Sequence, residues 1–232
     1  MQQESITKLP APVQTIWQAF LQWWDDLVRQ AAISLIWSLS WLTILLGPPV
    51  TFGMHYVQSQ YIRGVNPGLR GLAEGARKYF VKSWLWMLAN LFIGFWLYVS
   101  ANAYLQIGGL GGELARDFIV LVGLLWFTVQ FYTPPILMIQ EKESLREAWR
   151  NSLFMTLASP VYLLVIFLFL ALAGLFSMIL IFPIILGYAA LFSLTANQAV
   201  RDRLEVFRAI AAKNQADKAQ RDQDSQTPPT NP

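Results

Sequence analysis

Residues 161–182 read VYLLVIFLFLALAGLFSMILIF, and this stretch decides the class of fold. Sixteen of its 22 side chains are Leu, Ile, Val or Phe, and none carries a charge. A helix that crosses a bilayer needs about 20 mainly apolar residues. Each such side chain at mid-membrane favours insertion by roughly 0.3–0.6 kcal/mol, so the stretch favours insertion by several kcal/mol. It therefore predicts a membrane-spanning helix.

The rest of the chain has the same character. It is 55% hydrophobic and 13% charged, whereas a soluble domain has about 25% charged residues. No Asp, Glu, Lys or Arg occurs within residues 30–62, 83–112, 118–140 or 151–200. Helices of a soluble protein need a polar face toward water, so runs of this length indicate lipid as the solvent. The predicted fold is all-α, a polytopic transmembrane bundle of about six helices.

Charge and cysteine content exclude several classes of function. The net charge is +3, but the basic residues lie between the apolar segments, which indicates orientation in a membrane and not nucleic-acid binding. The chain has no cysteine, which excludes disulfides and thiolate metal sites. We expect a lipid bilayer as the partner and no nucleic acid.

The N-terminal segment, residues 1–30, contains an amphipathic helix over 13–31. Its apolar side chains follow helical spacing, from Val13 and Trp17 to Trp24, and glutamines and aspartates take the other face. Two positions remain open: the helix lies in the membrane interface, or it packs on the protein's own cytoplasmic surface.

The transmembrane domain, residues 31–200, starts with two short helices, 31–46 and 49–63, which are broken at Gly47-Pro48-Pro49. Each is too short for a bilayer core of roughly 30 Å. The pair is therefore either a tight hairpin or one long broken span.

Four full spans are predicted after that pair, at 83–107, 117–140, 160–182 and 184–200. Glycines at 108–112 predict a flexible turn, Pro134-Pro135 a kink, and Phe182-Pro183 the last turn. The tail, residues 201–232, is expected to be cytoplasmic, helical at first and then disordered.

Basic residues predict the orientation. With both termini inside, 16 of the 17 Lys and Arg residues face the cytoplasm and only Arg116 lies outside. We therefore predict a multi-pass protein of the cell membrane, with a cytoplasmic C-terminus and a cytoplasmic N-terminus.

The residues for catalysis are scarce. His55 is the only histidine, and it follows the Gly-Pro-Pro break, either as a functional titratable group or as a side chain that stabilises the broken helix. Amides in the spans are expected to bridge helices rather than bind substrates: Asn90, Asn102, Gln106, Gln130, Asn197 and Gln198. We predict no catalytic, cofactor-binding or metal-binding residues, no cofactor and no enzymatic activity.

The 141–159 segment is the best candidate contact surface. Ser144 and Glu147 have capping-box spacing, which predicts a helix that ends near Ala158, before Pro160. The segment, which carries Trp149, is similar to the Ser-Leu-x-Glu-Ala of ABC importer coupling helices, but the Asp-Gly that follows there is missing. An interfacial helix that starts the next span is the preferred interpretation.

Several short motifs over residues 15–205 resemble the YesL-like family of bacterial integral membrane proteins. They are the Trp-rich entry helix through Trp24, the Gly47-Pro48 break, the helix ending Tyr61-Ile62-Arg63-Gly64, residues 75–83, residues 147–153 and residues 197–200. The chain departs from the family at residues 45–49, where it has Leu-Leu-Gly-Pro-Pro instead of a Thr-Ile-Gly-Pro-type stretch.

The resemblance implies five or six membrane helices and favours the hairpin for residues 31–63. Because family members are often encoded near carbohydrate ABC transporters, it also implies a non-enzymatic accessory or regulator of carbohydrate transport. ABC transporter subunits are then the expected partners. The alternative is a small, self-associating channel or facilitator whose amides line a pore.

Overall fold

A computed structural model describes residues 11–180 and 187–226, and every regular element in those ranges is a helix. The helices are α1 (Ala11–Asp25), α2 (Leu27–Leu42), α3 (Gly47–Ile62), α4 (Gly68–Lys78), α5 (Phe80–Ile107), α6 (Gly109–Ile139), α7 (Leu145–Ala158), α8 (Pro160–Leu180) and α9 (Tyr188–Gln226). The all-α prediction is confirmed for this part of the chain.

Three of these helices are long and apolar enough to cross a membrane. They are α5, α6 and the Pro160–Ser177 part of α8. Their outward faces carry large apolar side chains that the protein leaves exposed, such as Phe92, Phe118 and Leu164. Exposed apolar surface on this scale is incompatible with water and fits contact with lipid. The chain thus has the features of a multi-pass membrane protein.

The two short helices, α2 and α3, form a hairpin. Trp37 Nε1 donates to Thr51 Oγ1 at 2.9 Å, and Gln58 Nε2 donates to Gln30 Oε1 at 2.6 Å. The first pair joins the end of α2 to the start of α3, and the second joins the start of α2 to the end of α3. The two helices therefore run antiparallel. The hairpin is therefore confirmed over the single broken span. The predicted bounds 31–46 and 49–63 are wrong, because the first helix covers Leu27–Leu42 and the second begins at Gly47. Gly47-Pro48-Pro49 form the first turn of that second helix, where proline is tolerated, and the break lies before them.

The N-terminal helix α1 packs on the protein itself with its polar face inward. Thr15 and Ala19 are fully buried, and Thr15 Oγ1 lies 2.7 Å from Tyr162 Oη of α8 and hydrogen-bonds Asp202 of α9. Trp17 and Trp24 stay exposed on the other side. Packing of α1 on the protein is thus confirmed, whereas its position in the membrane interface stays a prediction.

Helix α3 and the start of α9 form the centre of the bundle. Helix α3 contacts α2, α4, α5, α6 and α9, and α9 also contacts α1 and α8. Residues 193–200 of α9 are all buried, and the same helix then runs on into the tail through Gln226. The predicted helical start of the tail is confirmed, whereas the turn at Phe182-Pro183 and the end of the tail lie outside the described residues.

The glycine-rich turn predicted over residues 108–112 is wrong in its extent. Helix α5 ends at Ile107 and α6 begins at Gly109, and the turn between them depends on Gly108 and Gly109, which both have a φ of 68°. Glycine permits a turn but does not exclude a helix, and Gly111 and Gly112 already lie within α6. Helix α6 likewise continues through Pro134-Pro135 to Ile139.

Candidate functional site

Charged segments from distant parts of the sequence gather at one end of the bundle, here called the polar end. Arg29 hydrogen-bonds Asn66 and lies 4.2 Å above the Tyr61 ring, and Arg201 donates to the Ile62 carbonyl oxygen at 3.3 Å. These contacts bring the starts of α2 and α4, the end of α3 and the tail together. Arg116 lies at the far end, where it pairs with Asp117.

Glu143 joins the 141–159 segment, which is the candidate contact surface, to residues 63–82. Its carboxylate accepts hydrogen bonds from Lys78 at 2.6 Å, Lys82 at 2.8 Å and Tyr79 at 2.8 Å. Burial of the carboxyl opposes its ionisation, but these three hydrogen bonds outweigh burial and lower the pKa of Glu143 to about 2. Residues 63–82 and 141–159 therefore form one connected surface, here called the platform.

The predicted helix of the platform is present as α7. Ser144 caps it by accepting from the Glu147 backbone N–H at 3.5 Å, and the helix ends at Ala158 as predicted. Trp149, however, is turned inward, because its Nε1 donates to Gln130 Oε1 of α6 at 3.2 Å. The exposed charges of the platform include Arg70, Glu74 and Arg77 on α4.

Amides and indoles meet between α5, α6 and α7. Gln130 Oε1 also accepts from Trp86 Nε1 at 2.7 Å and Asn90 Nδ2 at 3.3 Å. Asn90 Oδ1 in turn accepts from Trp126 Nε1 at 3.0 Å. This network fixes the orientation of both amides, because a rotated Gln130 would set its NH₂ against three N–H donors.

A cavity of about 320 Å³ lies beside this network, between α3, α5, α6 and α9. Five aromatic rings line it: Trp86, Trp126, Phe127, Phe131 and Phe192. Its polar lining consists of Thr51, His55, Asn90 and Gln130.

His55 is buried in the wall of this cavity and is held by α9. Asn197 Nδ2 lies 3.1 Å from His55 Nδ1 and donates its other hydrogen to the Ser193 carbonyl oxygen at 2.8 Å. Since both amide hydrogens are committed, Nδ1 must accept, and the ring proton belongs on Nε2. Among the described residues, Nε2 has no hydrogen-bond partner.

Most of the predicted bridging amides do bridge helices. Asn90 and Gln130 join α5 to α6, Asn197 joins α9 to α3, and Gln198 Nε2 donates to Gln18 Oε1 of α1 at 2.6 Å. Asn102 bonds only the Tyr98 carbonyl oxygen of its own helix, and Gln106 is exposed.

The fully buried pair Gln30 and Gln58 was not predicted from the sequence. The signal that could have found it is a glutamine within each of two facing apolar helices.

Within the described ranges, no three His, Asp or Glu side chains lie close enough together to hold a metal ion. The chain also matches no family model, no curated protein and no solved structure in comparisons with each. The candidate sites are thus the polar platform at one end of the bundle and the aromatic cavity inside it.

Proposed function

We propose that the protein is a six-helix protein of the cell membrane with both termini in the cytoplasm. The three long apolar helices support this arrangement, as does the segregation of charge to the polar end. In it, the α2–α3 hairpin and the start of α9 supply the remaining membrane helices, and the platform faces the cytoplasm.

Its function in this proposal is that of a non-enzymatic accessory or regulator of a carbohydrate transport system. The observation that carries it is the Glu143 cluster, which ties the two cytoplasmic loops into one fixed surface. A preorganised surface loses less conformational entropy when a partner binds, which favours docking. The link to carbohydrate uptake, and to ABC transporter subunits as the partners, rests on the resemblance to the YesL-like family.

Co-purification of the full chain in mild detergent tests the proposal. Wild-type protein is expected to retain transporter subunits, and Arg70→Glu with Arg77→Glu is expected to release them, because both side chains are exposed on the platform. Charge reversals at a rim act mainly on electrostatic steering and complementarity.

The matched control is Arg116→Glu, which reverses a charge at the opposite end. Retention of the same subunits by all three proteins, or by none, would overturn docking through the platform.

A further inference from the structure

We infer that the aromatic cavity is a binding site for an uncharged, ring-shaped ligand with carbonyl oxygens, and that a membrane quinone is the class that fits. The site is separate from the platform and does not depend on the transport proposal. Four features define the ligand: the free Nε2–H inferred for His55, the hydrogen bonds of the remaining polar lining, the aromatic walls, and the absence of charged side chains among the described lining residues.

The free polar group of the cavity is a donor. His55 contacts Asn197 through Nδ1, and its Nε2–H has no partner among the described residues. The Thr51 hydroxyl already donates to the Gly47 carbonyl oxygen and accepts from Trp37. A buried donor without an acceptor is costly, and hydrocarbon offers none. The ligand must therefore bring acceptors.

The walls select a flat apolar body. Indole and phenyl rings stack against planar rings, and a volume of about 320 Å³ is within the range of small-ligand sites. Phe127 is 59% exposed on the outer side of the bundle, so a ligand can enter from the lipid. No Asp, Glu, Lys or Arg lines the cavity in the described part of the chain, which disfavours an ion.

Acyl chains and carbohydrates fit the polar groups of the cavity less well than a quinone does. An acyl chain has no acceptor for His55. A carbohydrate carries many hydroxyl donors, while Gln130 Oε1 and Asn90 Oδ1 are already bonded to indoles. A quinone presents carbonyl acceptors at opposite edges of a flat ring and can leave an apolar tail in the bilayer.

The test uses the full chain in phosphatidylcholine nanodiscs with decylubiquinone as the probe. We expect saturable quenching of tryptophan fluorescence, because Trp86 and Trp126 line the site. His55→Phe keeps a ring but removes the donor, and its half-saturation concentration is expected to rise about tenfold, the effect of one lost hydrogen bond. Asn102→Leu removes an amide from α5 that bonds only its own helix, and it should bind as wild type does.

Two measurements keep the inference testable if His55→Phe does not fold. Phe127→Ala changes a half-exposed wall residue and should weaken binding. The infrared carbonyl band of the quinone should shift to lower frequency in the wild type.

Three results would show that only water or lipid fills the cavity. They are linear quenching without saturation, an unshifted carbonyl band, and equal competition by decylbenzene, which has no carbonyl. Unchanged affinity in a folded His55→Phe variant would also overturn the inference. Platform variants leave this binding intact, so the two proposals fail separately.

Discussion

Replacing Gly53 with Ala should loosen the joint between α3 and α4. A Cβ at Gly53 would lie 2.4 Å from the Leu72 carbonyl oxygen and 3.0 Å from the Ala76 backbone nitrogen. Both neighbours are backbone atoms, so the helices must separate by roughly 1 Å to reach an ordinary contact of about 3.5 Å. Overpacking of this kind costs about 1–3 kcal/mol, and the better helix propensity of Ala returns about 0.5–1 kcal/mol. The net loss of stability then lies between roughly 0 and 2.5 kcal/mol, and we expect about 1–2 kcal/mol because both close neighbours are backbone atoms that cannot rotate away.

Thermal unfolding of the purified protein in a mild detergent measures this effect. At about 2–4 °C per kcal/mol for a chain of this size, the Tm of Gly53→Ala should fall by roughly 2–8 °C. Gly94→Ala is the matched control, because Gly94 lies within α5 and a Cβ there meets no heavy atom within 4 Å. It should raise stability by about 0.5–1 kcal/mol. Equal Tm changes in the two variants would refute the close approach of α3 and α4.

Three other predictions concern polar contacts and the hairpin. Glu143→Gln should lower the Tm at pH 7 by the equivalent of at most about 1 kcal/mol, because the cluster is partly exposed. The pKa of Glu143 is lowered to about 2, so the stabilisation that its carboxylate gives the fold is complete above about pH 4.5 and is lost as the pH falls toward 2. The Tm difference between the wild type and Glu143→Gln should therefore vanish over that range. Gln30→Leu or Gln58→Leu alone should lower the free energy of unfolding by about 1–3 kcal/mol, because each leaves the other amide unpaired. The double variant should have a Tm close to that of the wild type. Additive losses in the double variant would contradict the pairing. The chain has no cysteine, so single cysteines can be labelled, and the 16-residue helices of the hairpin span only about 24 Å. Leu45→Cys at the exposed apolar tip should therefore resist a membrane-impermeant maleimide from both sides, whereas Lys142→Cys should react from the cytoplasmic side. Labelling of Leu45→Cys in intact cells would place the tip outside.

The sequence predicted best what depends on local composition. The span at 83–107 and the return helix followed from uncharged length, and the end of α7 at Ala158 followed from Ser144 and Pro160. Residues 108–112 misled because glycine permits a turn without requiring one, and α6 already begins at Gly109. The sequence also marked His55 and the amides as the polar groups of the spans, but not their partners.

The tertiary structure decided which apolar side chains stay exposed and which residues contact each other. The cavity draws its walls from α3, α5, α6 and α9, whose contributions run from Thr51 to Phe192 in the sequence. The chain's own pattern determined that it has helices long and apolar enough to cross a membrane, because hydropathy and charge are set residue by residue. Pairings such as Asn197 with His55, or Glu143 with Lys78 and Lys82, depend on the packing of distant helices. Hydrogen bonds require atoms within about 3 Å, and only the folded bundle sets those distances.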